Sequence, residues 1–422
     1  MQTGLTAFEH EVLAIGTGLA GPHLTPEEAE RLCDLNDALP GLCSRSYHSI
    51  KLAQYCGLVN LGGRLLEILP KVGERRLQSE SQQVLLRLLR NSSELPIRRD
   101  APVGHSVQVV PLLEIFIEMF FDEIAQIIRQ GLLRRYQEEE GDLVCVRGTI
   151  VLHRQFSALA NRRDRVACHY DELTADNVWN RAAKVGLRLV YRSIRSLPLQ
   201  RRWVELMAAF AEVEDIAPAA LQLGSIVYDR QVLRYRPVVQ WVELFRSLLS
   251  PELRGGRRQI PGLLLDMNRL FEKAVETRVD RLAAGAGWSL DPQASQHRRH
   301  LGASVEAPPR AAFEVRPDLL FLHRGTIVAI ADAKWKRPER DRCGMIVPDR
   351  ADIYQLLSYA AVYACKRLAL IYPAQGDELF SAFDLPSLAN GRPRITVLAM
   401  RVTCDELFVS GWDRWTDERL TN

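Results

Sequence analysis

The stretch from Arg316 to Lys334, RPDLLFLHRGTIVAIADAK, constrains this chain more than any other. Two apolar runs flank Arg324-Gly325, which predicts a β-hairpin with one strand over Phe313 to His323 and a second over Thr326 to Lys334. Asp318 lies about as far before the turn as Asp332 lies after it, so the two carboxylates face each other across adjacent strands to within a residue or so of register. Side chains alternate along a strand, and Lys334 therefore emerges on the face of Asp332. Two carboxylates and an ammonium converge at the end of an apolar hairpin, a costly arrangement unless a cation or another partner neutralises it.

A divalent cation is the natural partner. Mg²⁺ takes hard oxygen ligands, usually one or two carboxylates with waters and phosphate oxygens, and it supports attack of water on a scissile phosphate. A lysine two residues after a ligand can orient that water or stabilise the charge that develops. The chemistry expected of such a site is phosphodiester hydrolysis. On spacing alone a second reading stands beside it, a surface hairpin whose Asp-Lys pair is solvated and contributes little.

Pro317-Asp318 followed by Asp332-Ala-Lys334, with a strand on each side and a helix after, resembles the core of the PD-(D/E)xK nucleases. The flanks are similar to one branch, the McrC family, the nuclease subunit of McrBC-type, modified-cytosine-dependent restriction systems. Leu265-Asp-Met-Asn-Arg-Leu-Phe-Glu-Lys273 is similar to that family's helix before the core. Asp352-Ile-Tyr-Gln-Leu-Leu-Ser-Tyr-Ala360 is similar to the helix after it. Further matches are Leu66-Glu-Ile-Leu-Pro-Lys-Val72 near the N-terminus, and Arg147-Gly-Thr-Ile, Tyr170-Asp-Glu and Asp176-Asn-Val-Trp-Asn-Arg181 in the middle.

The resemblance implies an α/β C-terminal nuclease fold, a mixed sheet flanked by helices, preceded by a mixed α+β region that docks onto a hexameric AAA+ GTPase. It implies Asp318 and Asp332 as Mg²⁺ ligands and Lys334 as partner of the attacking water or the transition state. Glu272 would be a further carboxylate at the metal, although a surface glutamate beside Lys273 and Glu276 is an equal reading. Gln355 would point to the scissile phosphate, and Glu314, four residues before Asp318, is an additional carboxylate on the same strand. The substrate implied is double-stranded DNA with modified cytosine. No GxxxxGK[ST] phosphate loop occurs, so nucleotide hydrolysis must come from another polypeptide.

Composition narrows the remaining classes. The 422 residues suffice for two or three domains, and 25% charged with 47% hydrophobic residues is ordinary for a globular protein. A formal net charge of +3 means that nucleic-acid affinity must come from local patches. The eight cysteines are scattered without a CxxC pair, and the N-terminus does not look like a signal peptide, which suggests reduced thiols and a cytoplasmic protein. No apolar run approaches the roughly 20 residues of a membrane span.

Along the chain, a hairpin is expected in Cys56 to Lys71 around Leu61-Gly-Gly63. Residues 76–138 read as helical, with a second helix from Pro111, and a helix near Asp176 would be capped by Thr174 or Asp176. Asn180 and Arg181 stand either as contacts to the partner or as a cap and a solvated arginine. The Pro-, Gly- and Arg-rich stretch at 251–263 marks a linker, dividing the chain into 1–255 for docking and 256–422 for the nuclease. A helix is expected over Leu263 to Leu282. Gln296-His-Arg-Arg-His300 is a weak metal pair, a phosphate-contacting loop or a plain exposed loop, and the basic segment after Trp335 lies where a DNA backbone would pass. Two other functions remain on sequence alone: a non-catalytic adaptor that stimulates an AAA+ motor, and a stand-alone structure-specific nuclease.

Overall fold

The strands that carry the two aspartates lie inside a seven-stranded mixed sheet. The computed structural model describes residues 4–17, 22–36, 39–71, 77–92, 94–97, 110–159, 161–162, 164–225, 229–249, 262–305, 308, 310–342, 346–375, 381–388, 391–404 and 406–417. In chain order the strands are β1 (Ser289–Pro292), β2 (Leu319–His323), β3 (Thr326–Ala333), β4 (Arg367–Ala374), β5 (Ser381–Asp384), β6 (Arg394–Arg401) and β7 (Phe408–Ser410). Their spatial order is β1-β2-β3-β4-β6-β5, and β7 also pairs with β6. β3, β4 and β6 run parallel, and every other pairing is antiparallel. Parallel neighbours need a crossover, which helix α2 (Arg350–Tyr363) supplies between β3 and β4.

Period-two alternation sorts the sheet's side chains into two cores. Leu320, Leu322, Ile330, Leu368, Leu370, Ile395 and Val397 pack with Leu356, Tyr359, Ala360 and Tyr363 of α2. From β2 the buried Phe321 instead meets Trp288, Trp412 and Trp415, with ring centroids 5.5 to 5.8 Å away. Helix α1 (Met267–Gly285) contacts β1 and β3 and buries Phe271, Val275 and Val279.

Two four-stranded sheets also belong to this unit. One orders Leu5–Phe8, Leu65–Leu69, Tyr55–Asn60 and Gly262–Asp266; the other orders His23–Leu24, Val12–Ile15, Ser49–Leu52 and Cys43–Arg45. The Cys56 to Lys71 hairpin forms as expected: Asn60 Oδ1 accepts the amides of Gly62 and Gly63 at 3.0 and 2.9 Å. Helix Gln78–Ser92 packs along α1.

Several expectations are corrected. The strand predicted over Phe313 to His323 is broken. Ala311–Val315 pairs with Arg299–Ala303, and β2 begins only after Arg316-Pro317. Proline has no amide to give a ladder and restricts the residue before it. The helix expected from Leu263 begins at Met267, because Asp266 caps it by accepting the Asn268 amide at 2.9 Å while Gly262–Asp266 is a strand. Arg135–Leu143, expected partly as helix, is a strand paired with Val166–Thr174.

The chain divides into two compact units, one of Thr3–Val110 with Leu264–Asn422, the other of Pro111–Leu263. The contiguous 1–255 region is therefore split. Its first part falls in one unit with the C-terminal sheet, because a strand and helix α1 from beyond residue 261 complete the N-terminal packing. Residues 250–261, most of the expected linker, lie outside the described residues. Within Pro111–Leu263, Phe116, Phe120, Trp241 and Phe245 form the aromatic core of helices Leu112–Arg129 and Arg236–Leu249. Gly186 of helix Val178–Tyr191 lets them close: a Cβ there would lie 2.6 Å from Val242 Cγ2 and 2.7 Å from Phe120 Cζ. Among the described residues no helix is long and apolar enough to cross a membrane.

Candidate active site

The hairpin closes at His323↔Thr326 around Arg324 and Gly325, whose φ angles of 50° and 79° match the two-residue turn that suits twisted strands. Continued without interruption, that register would set Asp318 opposite Ala331. It does not continue: Leu322 pairs with Ile327 but Phe321 with Ala329, so Val328 is an extra residue, a β-bulge. Beyond it Leu319 pairs with Ala331, and the next position outward sets Asp318 against Asp332. The bulge absorbs the one-residue difference between the strands and brings the carboxylates to one face.

Asp318 Oδ2 accepts the Ala333 amide at 2.9 Å, tying the end of β2 to β3. Asp332 is 1% exposed, and its Oδ1 accepts no hydrogen bond. Lys334 Nζ lies 2.5 Å from Asp332 Oδ2 as an ion pair. The Asp318 carboxyl is pushed up to about 8, first by burial and then by the charges of Asp332 and Glu272. Burial pulls Lys334 down, but Asp332 and Asp318 outweigh it and hold the ammonium above its ordinary value. Lys334 is thus a cation in this site, suited to stabilising negative charge and not to accepting a proton.

Glu272, half-buried on α1, is raised by burial and then by Asp332. It stands close enough to act on the aspartate pair electrostatically. Among the described residues, however, no group of three His, Cys, Asp or Glu side chains is gathered to hold a metal. The donor set is therefore the opposed pair Asp318 and Asp332, in which Asp332 Oδ1 is buried without a hydrogen bond. Two carboxylates are a ligand set that suits Mg²⁺, which takes one or two carboxylates and keeps several waters.

Gln355 Nε2 donates to the Tyr359 hydroxyl at 2.7 Å, and that hydroxyl donates to Arg316 O at 3.1 Å. Burial and then the charges of Asp332 and Asp318 raise the Tyr359 phenol, which places it beside the carboxylates. Tyr359, one turn after Gln355 on α2, has no task in the sequence reading. Sequence reasoning missed a second cluster as well: Asp352, buried in the first turn of α2, accepts the Tyr372 hydroxyl at 2.8 Å and pairs with Lys336 at 2.7 Å.

Other candidates are not brought in. Glu314 sits on the separate strand Ala311–Val315, exposed and 3.8 Å from Arg298, because the break at Pro317 removes it from β2. His297 is bound to the buried Asp291 at 2.8 Å, while His300 is exposed opposite Glu314, so they form no pair. Asn180 is fully buried, accepting the Tyr235 hydroxyl and donating to Leu133 O and Ala175 O. Arg181 is held by Asp176 and Glu214. The cap of that helix is Asn177, neither Thr174 nor Asp176. After Lys334, Arg337 and Arg340 are exposed, and Cys343 and Gly344 lie outside the described residues.

Comparison with known structures finds this architecture elsewhere. A refined half-complex from the tetradecameric assembly of Thermococcus gammatolerans McrB AAA+ hexamers with bound McrC is similar with a TM-score of 0.72 at 19% identity, covering 98% of each chain. The cryo-EM structure of the Thermococcus gammatolerans McrBC complex is similar with a TM-score of 0.52 at 22% identity, over 66% of this chain and 88% of the other. At such identities the likeness establishes the fold. No curated protein matches. A family model described as the McrBC 5-methylcytosine restriction system component matches residues 50–373. That span includes the Cys56 to Lys71 hairpin, the unit between Pro111 and Leu263 and the bulged hairpin with its carboxylates, and the chain accordingly belongs to the McrBC family.

Proposed function

We propose that this chain is the DNA-cleaving subunit of a modification-dependent restriction complex, with a PD-(D/E)xK nuclease core. The observation that carries this reading is the opposition of Asp318 and Asp332 at a buried sheet end, with Lys334 paired to Asp332 Oδ2 and Asp332 Oδ1 buried without a hydrogen-bond donor. A pure scaffold has no need of converging charges that cost stability.

Asp318 and Asp332 would hold Mg²⁺, which when bound supplies Lewis-acid polarisation of the scissile phosphate and a lowered water pKa. Lys334 orients the attacking water and stabilises charge on the phosphate. Gln355, held by its hydrogen bond to Tyr359, would direct its amide toward the substrate oxygens. Glu272 supports through charge from its half-buried position. Arg337 and Arg340, two exposed cations following β3, offer contacts to the DNA backbone.

The similar McrC is bound to McrB AAA+ hexamers, and we extend that arrangement to this chain. The partner would supply nucleotide hydrolysis and read the modified cytosine. The unit Pro111–Leu263 offers a surface for docking: Val144, Phe156 and Leu152, beside its three-stranded sheet, are 75%, 76% and 60% exposed.

The test is cleavage of plasmid DNA carrying 5-methylcytosine in Mg²⁺, by the wild type and Asp332→Ala, each alone and with the AAA+ partner and nucleotide. Cutting that requires the partner and disappears in the variant is expected. Equal stimulation of the partner by both proteins, with no cutting by either, would leave an adaptor.

A further inference from the structure

We propose that Glu9, at the far end of the chain from the carboxylate site, is a positioning residue: through the Trp335 indole it fixes the main chain where it leaves β3 and so aims Lys334. The inference rests on the nuclease reading above.

Glu9 follows the strand Leu5–Phe8, and its amide donates to Leu69 O at 2.9 Å. Its side chain is 3% exposed. Oε1 accepts the Lys71 amide at 2.7 Å, and the Trp335 indole N–H donates to the carboxylate at 3.1 and 3.2 Å. Desolvation raises this carboxyl above its ordinary value, and the Lys71 amide, the indole and the Lys71 charge only partly oppose it. Burying a carboxylate is costly, and an apolar side chain could fill the same space. What the apolar side chain could not do is receive two N–H groups from different parts of the unit.

Trp335 is the residue through which this matters. The Lys334 amide donates to Ile371 O at 2.9 Å, and beyond it the chain turns, with the Lys336 amide donating to Lys334 O at 2.9 Å. Trp335 thus follows the last hydrogen bond of this strand end to β4, directly after the lysine of the site. Its ring also lies 5.4 Å from that of Phe271, the neighbour of Glu272 on α1. One indole therefore joins the N-terminal sheet, α1 and the strand end that bears Lys334. Because the ammonium lies against a carboxylate at contact distance, a small swing of this exit changes what it touches.

The full chain with its AAA+ partner, nucleotide and Mg²⁺ is assayed on 5-methylcytosine plasmid for wild type, Asp332→Ala, Glu9→Ala, Glu9→Gln and Trp335→Phe. Misplacement of a reacting group by about 1 Å can cost about 100-fold, so Glu9→Ala and Trp335→Phe are expected to lower kcat by about 10- to 100-fold with KM for DNA unchanged. Glu9→Gln keeps an acceptor oxygen and should recover most of the rate. Independently of activity, hydrogen exchange of the backbone at 331–336, without Mg²⁺ or DNA, should quicken in Glu9→Ala and Trp335→Phe and not in Glu9→Gln. Unchanged exchange and kcat in the first two, or a Gln variant as impaired as the Ala variant, overturns the proposal. If Glu9→Ala fails to fold, Trp335→Phe, which keeps its ring against Phe271, decides. A wild type that does not cut, or an Asp332→Ala that cuts equally, overturns the nuclease reading itself and the aiming role with it. The two failures are therefore told apart by the Asp332→Ala control.

Discussion

Replacing Asp318 by asparagine should make the metal-free protein more stable while abolishing cleavage. The asparagine oxygen can still accept the Ala333 amide, so the geometry of the strand end is kept. What it removes is charge. The Asp318 carboxyl is raised to about 8 by burial and by Asp332 and Glu272, whereas an aspartate in an unfolded chain titrates near about 3.9. Between these values the folded protein retains a proton that the unfolded chain has lost, so stability falls as pH rises through this window and levels off above its upper end. At about 1.4 kcal/mol per pH unit the penalty near neutrality is on the order of 4 kcal/mol, an upper bound because the repulsion is shared with Asp332 and Glu272. Asp318→Asn should therefore raise the melting temperature in EDTA by several degrees, at about 2–4 °C per kcal/mol. Differential scanning calorimetry across pH 4.5 to 8.5 measures it: the gain should vanish at the acid end and grow toward pH 8. Mg²⁺ should stabilise the wild type and do less for the variant. A variant that melts at or below the wild-type temperature at pH 8 in EDTA, or a gain that does not shrink on acidification, would refute the reasoning.

Phe321→Ala empties the centre of the Trp288, Trp412 and Trp415 cluster and should cost about 3–5 kcal/mol in urea unfolding. Deleting Val328 removes the bulge but leaves Asp318 opposite Asp332, so cleavage should survive in the plasmid assay; its loss would show that the bulge does more than correct register. Gly186→Ala forces a methyl against Val242 and Phe120 and should destabilise the unit between Pro111 and Leu263 by about 1–3 kcal/mol, seen as an earlier transition in chemical denaturation.

The hairpin could be read from sequence because Arg324-Gly325 punctuates two apolar runs, and alternation then placed Asp318, Asp332 and Lys334 together. The bulge could not, since Ile327, Val328 and Ala329 are apolar in either register. Pro317 was visible, yet reading through it as strand kept Glu314 at the site when the break sends it to another sheet. Leu263 to Leu265 fit a helix or a strand equally well, and only the pairing beside Tyr55–Asn60 decides. On sequence Asn180 reads as a partner contact or a helix cap, whereas three long or medium-range hydrogen bonds bury it. Glu9 with Trp335 carries no local signal at all. Contacts between residues so distant in sequence are set by packing, which periodicity and turn chemistry do not encode.

The division of the chain also orders its synthesis. It leaves the unit that bears the carboxylates at Val110 and returns to it at Leu264. A ribosome therefore releases Leu5–Phe8, Tyr55–Asn60 and Leu65–Leu69 well before Gly262–Asp266, the strand that completes their sheet. The intervening unit emerges with all its own strands and helices and can fold as a body while the first waits, since domains generally fold as units during synthesis. Holding the early segment open costs little extra, because loop-closure entropy grows only slowly with length. Glu9 accordingly spends most of translation without Trp335. A chain interrupted between Leu264 and Lys334 contains the whole inserted unit and still lacks the carboxylate–lysine centre, so that centre is made only after the inserted unit is whole.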